Sequence, residues 1–188
     1  MGHKFLIKQQ NKEQELRIDV PQEKIDKFYQ VFKYILYKTG GDPYLGKTKI
    51  FKLLYFIDFD FFEKYEKQLM GLKYIKQEFG PLPVVFDKAV ENLKKQKEVE
   101  EIKRKVYTYD QVKYILTETA KIKIDLLSAE ELQHINQEIE RFKKYSAQEI
   151  SSLSHKDLPW LNVDIGKELS YPAVFYRTKE TSVRKYGF

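Results

Sequence analysis

Cysteine is missing from all 188 residues, which excludes disulfides, cysteine-ligated zinc and thiol catalysis. Histidine is scarce. His3, His134 and His155 lie far apart, and none has a metal-ligand companion at helical spacing. None of Ser146, Ser151, Ser152 and Ser154 sits in a Gly-x-Ser-x-Gly elbow, so no serine nucleophile is set up in the hydrolase manner. No apolar run is long enough to cross a bilayer, and Met1-Gly2-His3-Lys4 does not begin an apolar signal block. A cytoplasmic protein is the expectation.

The chain is 42% hydrophobic and 15% aromatic, enough to build one substantial core. A charged fraction of 33% and a mean hydropathy of -0.59 describe a soluble domain. The net charge of +6 permits an acidic partner, either nucleic acid or protein, although abundant lysine alone produces the same figure.

Ten of the thirteen residues from Ile50 to Phe62 are apolar or aromatic, on every side of a helical wheel. Such a helix is central and wrapped by others. Asp58 lies within it, with Leu54, Tyr55, Phe61 and Phe62 three and four residues away. A carboxylate there needs a partner, and a structural clamp is the expectation. Asp60 and Glu63 on the same helix do not converge on a metal in this pattern, and structural roles are expected for them too.

Around this helix, Phe5–Ile7 and Leu16–Val20 read as strands of a candidate β-hairpin, and Ile25 to Leu36 as an amphipathic helix stopped at Gly40-Gly41. The central helix is expected over Lys47–Lys67, followed by an extended Tyr74–Phe79 and a turn at Gly80-Pro81-Leu82-Pro83. A helix carrying Phe86, Val90 and Leu93 comes next. Val99–Tyr107 and Val112–Thr117 then predict a hairpin turning near Asp110, and Ile122, Ile124 and Leu126 a further short strand. Ser128 with Glu131, and Ser146 with Glu149, are capping boxes that start two helices. The chain is expected to be irregular after Leu153 and extended over Ala173–Tyr176. The fold class is α+β, mostly helical: one compact domain around a buried helix, with a small β-hairpin and short peripheral strands.

Gly41-Asp42-Pro43-Tyr44-Leu45-Gly46-Lys47-Thr48 satisfies the phosphate-binding pattern G-x-x-x-x-G-K-[ST]. Its context refuses the reading. A P-loop follows a buried strand, whereas the preceding residues have helical spacing, and the alternating strands and helices of a nucleotide-binding sheet are missing. A helix–helix loop is expected instead.

Two local arrangements stay open. His155 is expected to hydrogen-bond a carboxylate, with Asp58 the candidate, while Trp160 plugs the core; His134 is expected at the surface. The basic residues Lys94, Lys95, Lys97, Lys103, Arg104 and Lys105 are diluted by Glu98, Glu100 and Glu101, so a solvated hairpin is favoured over a nucleic-acid-binding wing. Arg177, Lys179, Arg184 and Lys185 are the remaining cations that a nucleic-acid-binding regulator would use.

Lys52-Leu53-Leu54-Tyr55-Phe56 with Asp58, then Gly71 and Tyr74, then Gly80-Pro81-Leu82-Pro83, form an ordered set. Leu127-Ser128, Ser146-Ala147, Ile150, Leu153-Ser154-His155, Pro159-Trp160, Ser170-Tyr171 and Phe175-Tyr176-Arg177 continue it. From about Phe28 to Arg177 the chain resembles the Panacea domain, the SocA-like antitoxin family of bacteria and their phages. The resemblance implies residues 25–180 as the domain, 1–24 as an N-terminal extension and 181–188 as a polar tail. It implies a non-enzymatic antitoxin of a type II-like toxin–antitoxin system, without cofactor or metal, that neutralises a cognate protein toxin by direct binding. One branch of the family implies an adaptor delivering the toxin to a ClpXP-type protease; nucleic acid is the disfavoured partner. Tyr74, Phe79, Pro81 and Pro83 are the candidate contact residues, with core filling the competing role for them. Lys52, Leu53, Leu54, Tyr55, Asp58, Gly80, His155 and Trp160 are the structural motif.

Overall fold

Helix α2, Lys47–Tyr65, is buried at every position from Lys49 to Phe61 and again at Glu63. It begins after Gly46 and ends where Glu66 turns left-handed and donates its N–H to the Phe62 carbonyl. The computed structural model describes residues 22–184 apart from Gly41 and Tyr107. The expected strands at Phe5–Ile7 and Leu16–Val20 lie outside the described residues.

The all-round apolar face of α2 is covered from several directions. Helix α1 (Gln22–Thr39) brings Phe28 and Phe32, and helix α3 (Phe86–Lys95) brings Phe86. Phe86 meets Phe32 edge-on at 5.3 Å, Phe51 at 4.7 Å and Tyr114 at 5.7 Å, so one ring joins four elements. Each such buried ring contributes about 1.5–3 kcal/mol relative to exposure. Helices α4 (Ala129–Phe142) and α5 (Ala147–His155) close another side, with Phe142 stacked on Phe56 at 4.8 Å. Both open on complete capping boxes: Ser128 Oγ accepts from the Glu131 N–H, Ser146 Oγ from that of Glu149, and each glutamate accepts from its serine's N–H.

Among the described residues two antiparallel hairpins complete the fold, which is α+β and mostly helical as expected. Strands β1 (Tyr74–Gln77) and β2 (Gly80–Pro83) pair Tyr74 with Pro83 and Gln77 with Gly80. Gly80-Pro81-Leu82-Pro83 is therefore a strand rather than the expected turn, and the turn falls at Glu78-Phe79. The prolines are tolerated for a definite reason. Tyr74 and Lys76, opposite them, direct their backbone groups away from β2: Lys76 N–H donates to the Lys167 carbonyl, and Tyr74 O accepts from Leu169 N–H. Pro81 and Pro83 thus occupy positions where no ladder donor is needed.

Strands β3 (Val99–Val106) and β4 (Tyr109–Leu116) form the second hairpin. Asp110 is paired with Lys105 inside β4, so the turn lies closer to Val106 than expected. Ile124–Leu126 is a 3₁₀ turn, not a strand; Ile124 and Leu126 are 45% and 40% exposed and pair with neither hairpin. The segment after Leu153 is more regular than expected. Helix α5 continues to His155, and α6 (Leu158–Leu161) follows with Pro159 in its first turn. Tyr171–Tyr176, where Pro172 opens the segment, is a 3₁₀ helix rather than extended chain.

The loop from Asp42 to Gly46 joins two helices, α1 and α2, as expected, and not the strand and helix that a P-loop needs. Lys47, which would reach a phosphate in that reading, donates to Asp87 Oδ1 at 2.6 Å instead.

Candidate functional site

Asp58 is fully buried and is held by the stretch just beyond α2. Its Oδ1 accepts from the N–H groups of Met70 (2.8 Å) and Gly71 (3.1 Å), and Oδ2 from that of Leu72 (3.2 Å). The Tyr74 and Tyr171 hydroxyls also reach Oδ2, at 3.1 and 3.0 Å. Gly71 makes this wrap feasible: its φ of 65° is left-handed, which lets successive N–H groups converge on one carboxylate. Burial pushes the Asp58 carboxyl above the usual carboxylate range, while the peptide N–H groups pull it back. Asp58 is thus a clamp, and its partners are backbone and tyrosine, not His155.

One turn further along α2, a second polar centre forms around Arg177. The guanidinium is fully buried and donates to Asp60 Oδ1 at 2.6 Å, Glu63 Oε2 at 2.7 Å and both oxygens of Asp157. Tyr55 donates to Asp157 Oδ2 at 2.7 Å. Arg141 on α4 donates to the other oxygen of Asp60 and to Glu138. Glu63 in turn accepts from Ser182 Oγ and the Val183 N–H, and its backbone carbonyl accepts from Arg184 Nε. Arg177 is therefore an interior group, which corrects the sequence reading that placed it among cations for nucleic acid; Arg184 is tied to the end of α2 but stays exposed. Among the described residues no group of histidine, aspartate and glutamate is arranged to hold a metal ion.

His134 is also interior, not at the surface. It is 1% exposed, and its ring nitrogens contact the Ile57 carbonyl (2.9 Å) and Lys64 Nζ (3.3 Å). Nε2 is then the donor to the carbonyl and Nδ1 the acceptor from lysine. Burial, with Lys64 and Arg141 beside it, lowers its pKa to about 4. Glu138, one helical turn on, is pushed up to about 7 by burial and the nearby Asp60 charge.

The third centre is different because it is not balanced. Lys52 is 2% exposed, and its ammonium has a single acceptor among the described residues, the Pro81 carbonyl at 3.3 Å. Burial lowers its pKa to about 8. Gly80 backs onto it: with φ at 101°, a Cβ there would come within 2.4 Å of Lys52 Cε and 2.8 Å of Ser154 Oγ. His155 lies nearby, stacked on Trp160 at 4.4 Å, with its buried Nε2 unpartnered among the described residues. Burial, then the positive charges of Lys52 and Lys76, lower the His155 pKa. Trp160 is half-buried and donates its indole N–H to the Gln77 carbonyl.

Of the four candidate contact residues, Tyr74, Pro81 and Pro83 fill the interior; only Phe79, at the β1–β2 turn, is open to solvent, at 73%. Leu53 and Leu54 are core. A separate cleft of about 460 Å³ lies between the α1–α2 loop and α4, walled by Tyr44, Leu53, Ile139 and Phe142. Two of its three lysines are matched locally: Lys49 donates to Asp42, and Lys143 lies beside Glu140. No described helix is long and apolar enough to cross a membrane.

Arg177 and Asp157 were not singled out by spacing; the only signal for Arg177 was its place in the Phe175-Tyr176-Arg177 element. Residues 50–161 match the family model described as antitoxin SocA-like, Panacea domain. Comparison with curated proteins and with solved structures returned no match. The match spans the Asp58 clamp, both strands of the first hairpin, Ser154-His155, Asp157 and Trp160, and the chain belongs to the SocA-like antitoxin family, the Panacea domain.

Proposed function

We propose that this chain is a cytoplasmic, non-enzymatic antitoxin that neutralises a cognate protein toxin by binding it directly. The observation that carries the reading is the use made of the buried carboxylates inside the segment that matches the family. Asp58 closes the loop after α2, and Asp60, Glu63 and Asp157 converge on Arg177 inside the protein. These groups are engaged in holding the frame. A rigid scaffold with its polar residues committed inward acts through its surface, by complementarity with a partner.

The test is co-expression with the product of the adjacent gene. Rescue of growth together with a stable complex supports the reading; if neither appears, it fails. Toxin half-life in cells with and without a ClpXP-type protease separates occlusion from proteolytic delivery, since occlusion leaves the half-life unchanged.

A further inference from the structure

Around the end of the β1–β2 hairpin, two lysines and an imidazole gather without matching anions. Lys52, Lys76 and His155 form no ion pair among the described residues, although both lysines are close enough to depress His155. Lys76 Nζ sits 4.0 Å above the centre of the Trp160 ring and donates to the Val163 carbonyl. Glu78 in the turn and Glu168 across from Ile75 are exposed and pair with none of the three. Elsewhere the buried cations are matched: Arg177 by three carboxylates, Lys33 by Glu98 and Lys49 by Asp42. An unmatched positive set is favourable only toward an incoming negative charge.

The same end of the molecule exposes apolar side chains. Phe79 is 73% exposed, Leu161 52% and Ile165 59%. The chain brings them together: Trp160, before Leu161, is bonded to Gln77, and Gly166, after Ile165, donates to the Lys76 carbonyl at 2.8 Å. Aromatic and aliphatic groups around a positive centre suit a partner segment with the reverse arrangement, an acidic residue flanked by apolar ones.

We propose that the β1–β2 turn and α6 form the docking site for an acidic, apolar-flanked segment of the partner protein. A partner carboxylate meets Lys76 above Trp160, in the positive field of Lys52 and beside His155, while Phe79, Leu161 and Ile165 cover the flanking side chains. The partner's being a toxin rests on the antitoxin reading; the chemistry of the surface does not.

The experiment titrates the full chain with the purified product of the adjacent gene, at low and high salt. The variants are Phe79→Ser, Lys76→Glu and, as a control in the separate cleft, Tyr44→Ser, each checked by thermal melting. Phe79→Ser and Lys76→Glu are expected to weaken binding about tenfold or more, with the lysine variant also losing most of the salt dependence. Tyr44→Ser is expected to bind as the parent does. NMR titration of His155 gives a readout that a purely structural role would not move: its pKa rises when the partner carboxylate arrives. If Lys76→Glu melts early, Phe79→Ser and the milder Lys76→Gln decide the question. Parent binding that survives all the Phe79 and Lys76 variants, or that is lost only in Tyr44→Ser, overturns the docking site and leaves the antitoxin reading standing. No binding and no growth rescue by the parent chain overturns both.

Discussion

Arg177 and Asp157 are joined by two parallel hydrogen bonds, Nε to Oδ1 at 2.8 Å and Nη2 to Oδ2 at 2.5 Å, with both side chains fully buried. This bidentate pair ties the chain just before α6 to the end of the 3₁₀ helix Tyr171–Tyr176. The remaining guanidinium nitrogen binds α2 through Asp60 and Glu63. Removing the guanidinium takes from three interior carboxylates the cation they share.

Arg177→Met is accordingly expected to destabilise the fold by about 3–5 kcal/mol, read from urea unfolding. Arg177→Lys should recover little, because a single ammonium cannot match a planar fork. A lysine variant as stable as the parent would contradict this account.

The Asp58 clamp makes a graded prediction. Asp58→Ala leaves three peptide N–H groups without an acceptor and should cost about 3–5 kcal/mol, whereas Asp58→Asn keeps one acceptor and should cost about 1–3 kcal/mol. Gly71→Ala, at a left-handed φ, is expected to cost about 1–2 kcal/mol, and less in the Asp58→Ala background than alone. A stable, folded Asp58→Ala protein that fails to bind its partner would instead make Asp58 functional.

His134 and Glu138 predict compensating pH effects. His134 has a folded pKa near 4, below its unfolded value, so its contribution is present above the unfolded pKa and is lost as pH falls toward 4. Glu138, raised to about 7, contributes stability at low pH that is lost as pH rises from its unfolded value to 7. Between about pH 5 and 6 the two slopes oppose, and the parent should show little dependence from this pair. Glu138→Gln should expose the histidine's slope, up to about 1.4 kcal/mol per pH unit with stability falling on acidification. Lys64 and Arg141 face both groups and Asp60 faces Glu138, so the measurement is unfolding free energy at several pH values in each single variant. A Glu138→Gln protein with a flat profile there would remove the argument.

The Asp42–Gly46 loop and the start of α2 make a negative prediction. Titration with magnesium and ATP should show no micromolar affinity, and Lys47→Ala should change stability by less than about 1 kcal/mol, because its ion pair with Asp87 is largely exposed. Magnesium-dependent micromolar binding would reverse the refusal of the P-loop.

The parts legible in the sequence were those written in local chemistry. The capping boxes at Ser128 and Ser146 are satisfied within four residues, and the apolar surround of α2 leaves one packing solution. What escaped was set by distant geometry. Nothing in the neighbourhood of Arg177 distinguishes it from a solvated arginine; its burial follows from carboxylates more than a hundred residues earlier, as the separation of 117 from Asp60 shows. Asp58 was recognisable as needing a partner, but its partners are mainly peptide N–H groups, which carry no side-chain signature apart from Gly71. Pro81 and Pro83 read as a turn because the register excusing them from the ladder depends on Lys167 and Leu169 bonding β1 from the far side.

That long separation between Asp60 and Arg177 has a temporal side. During synthesis α2 leaves the ribosome carrying Asp60 and Glu63 long before the guanidinium that neutralises them exists, so the helix cannot settle in its final surroundings until the last part of the chain has emerged. A chain stopped after Tyr176 should be digested rapidly by a nonspecific protease, and one stopped after Arg184 slowly. The same latch would let cleavage ahead of Arg177 undo the whole fold, making the protein's lifetime depend on how well that one segment is shielded.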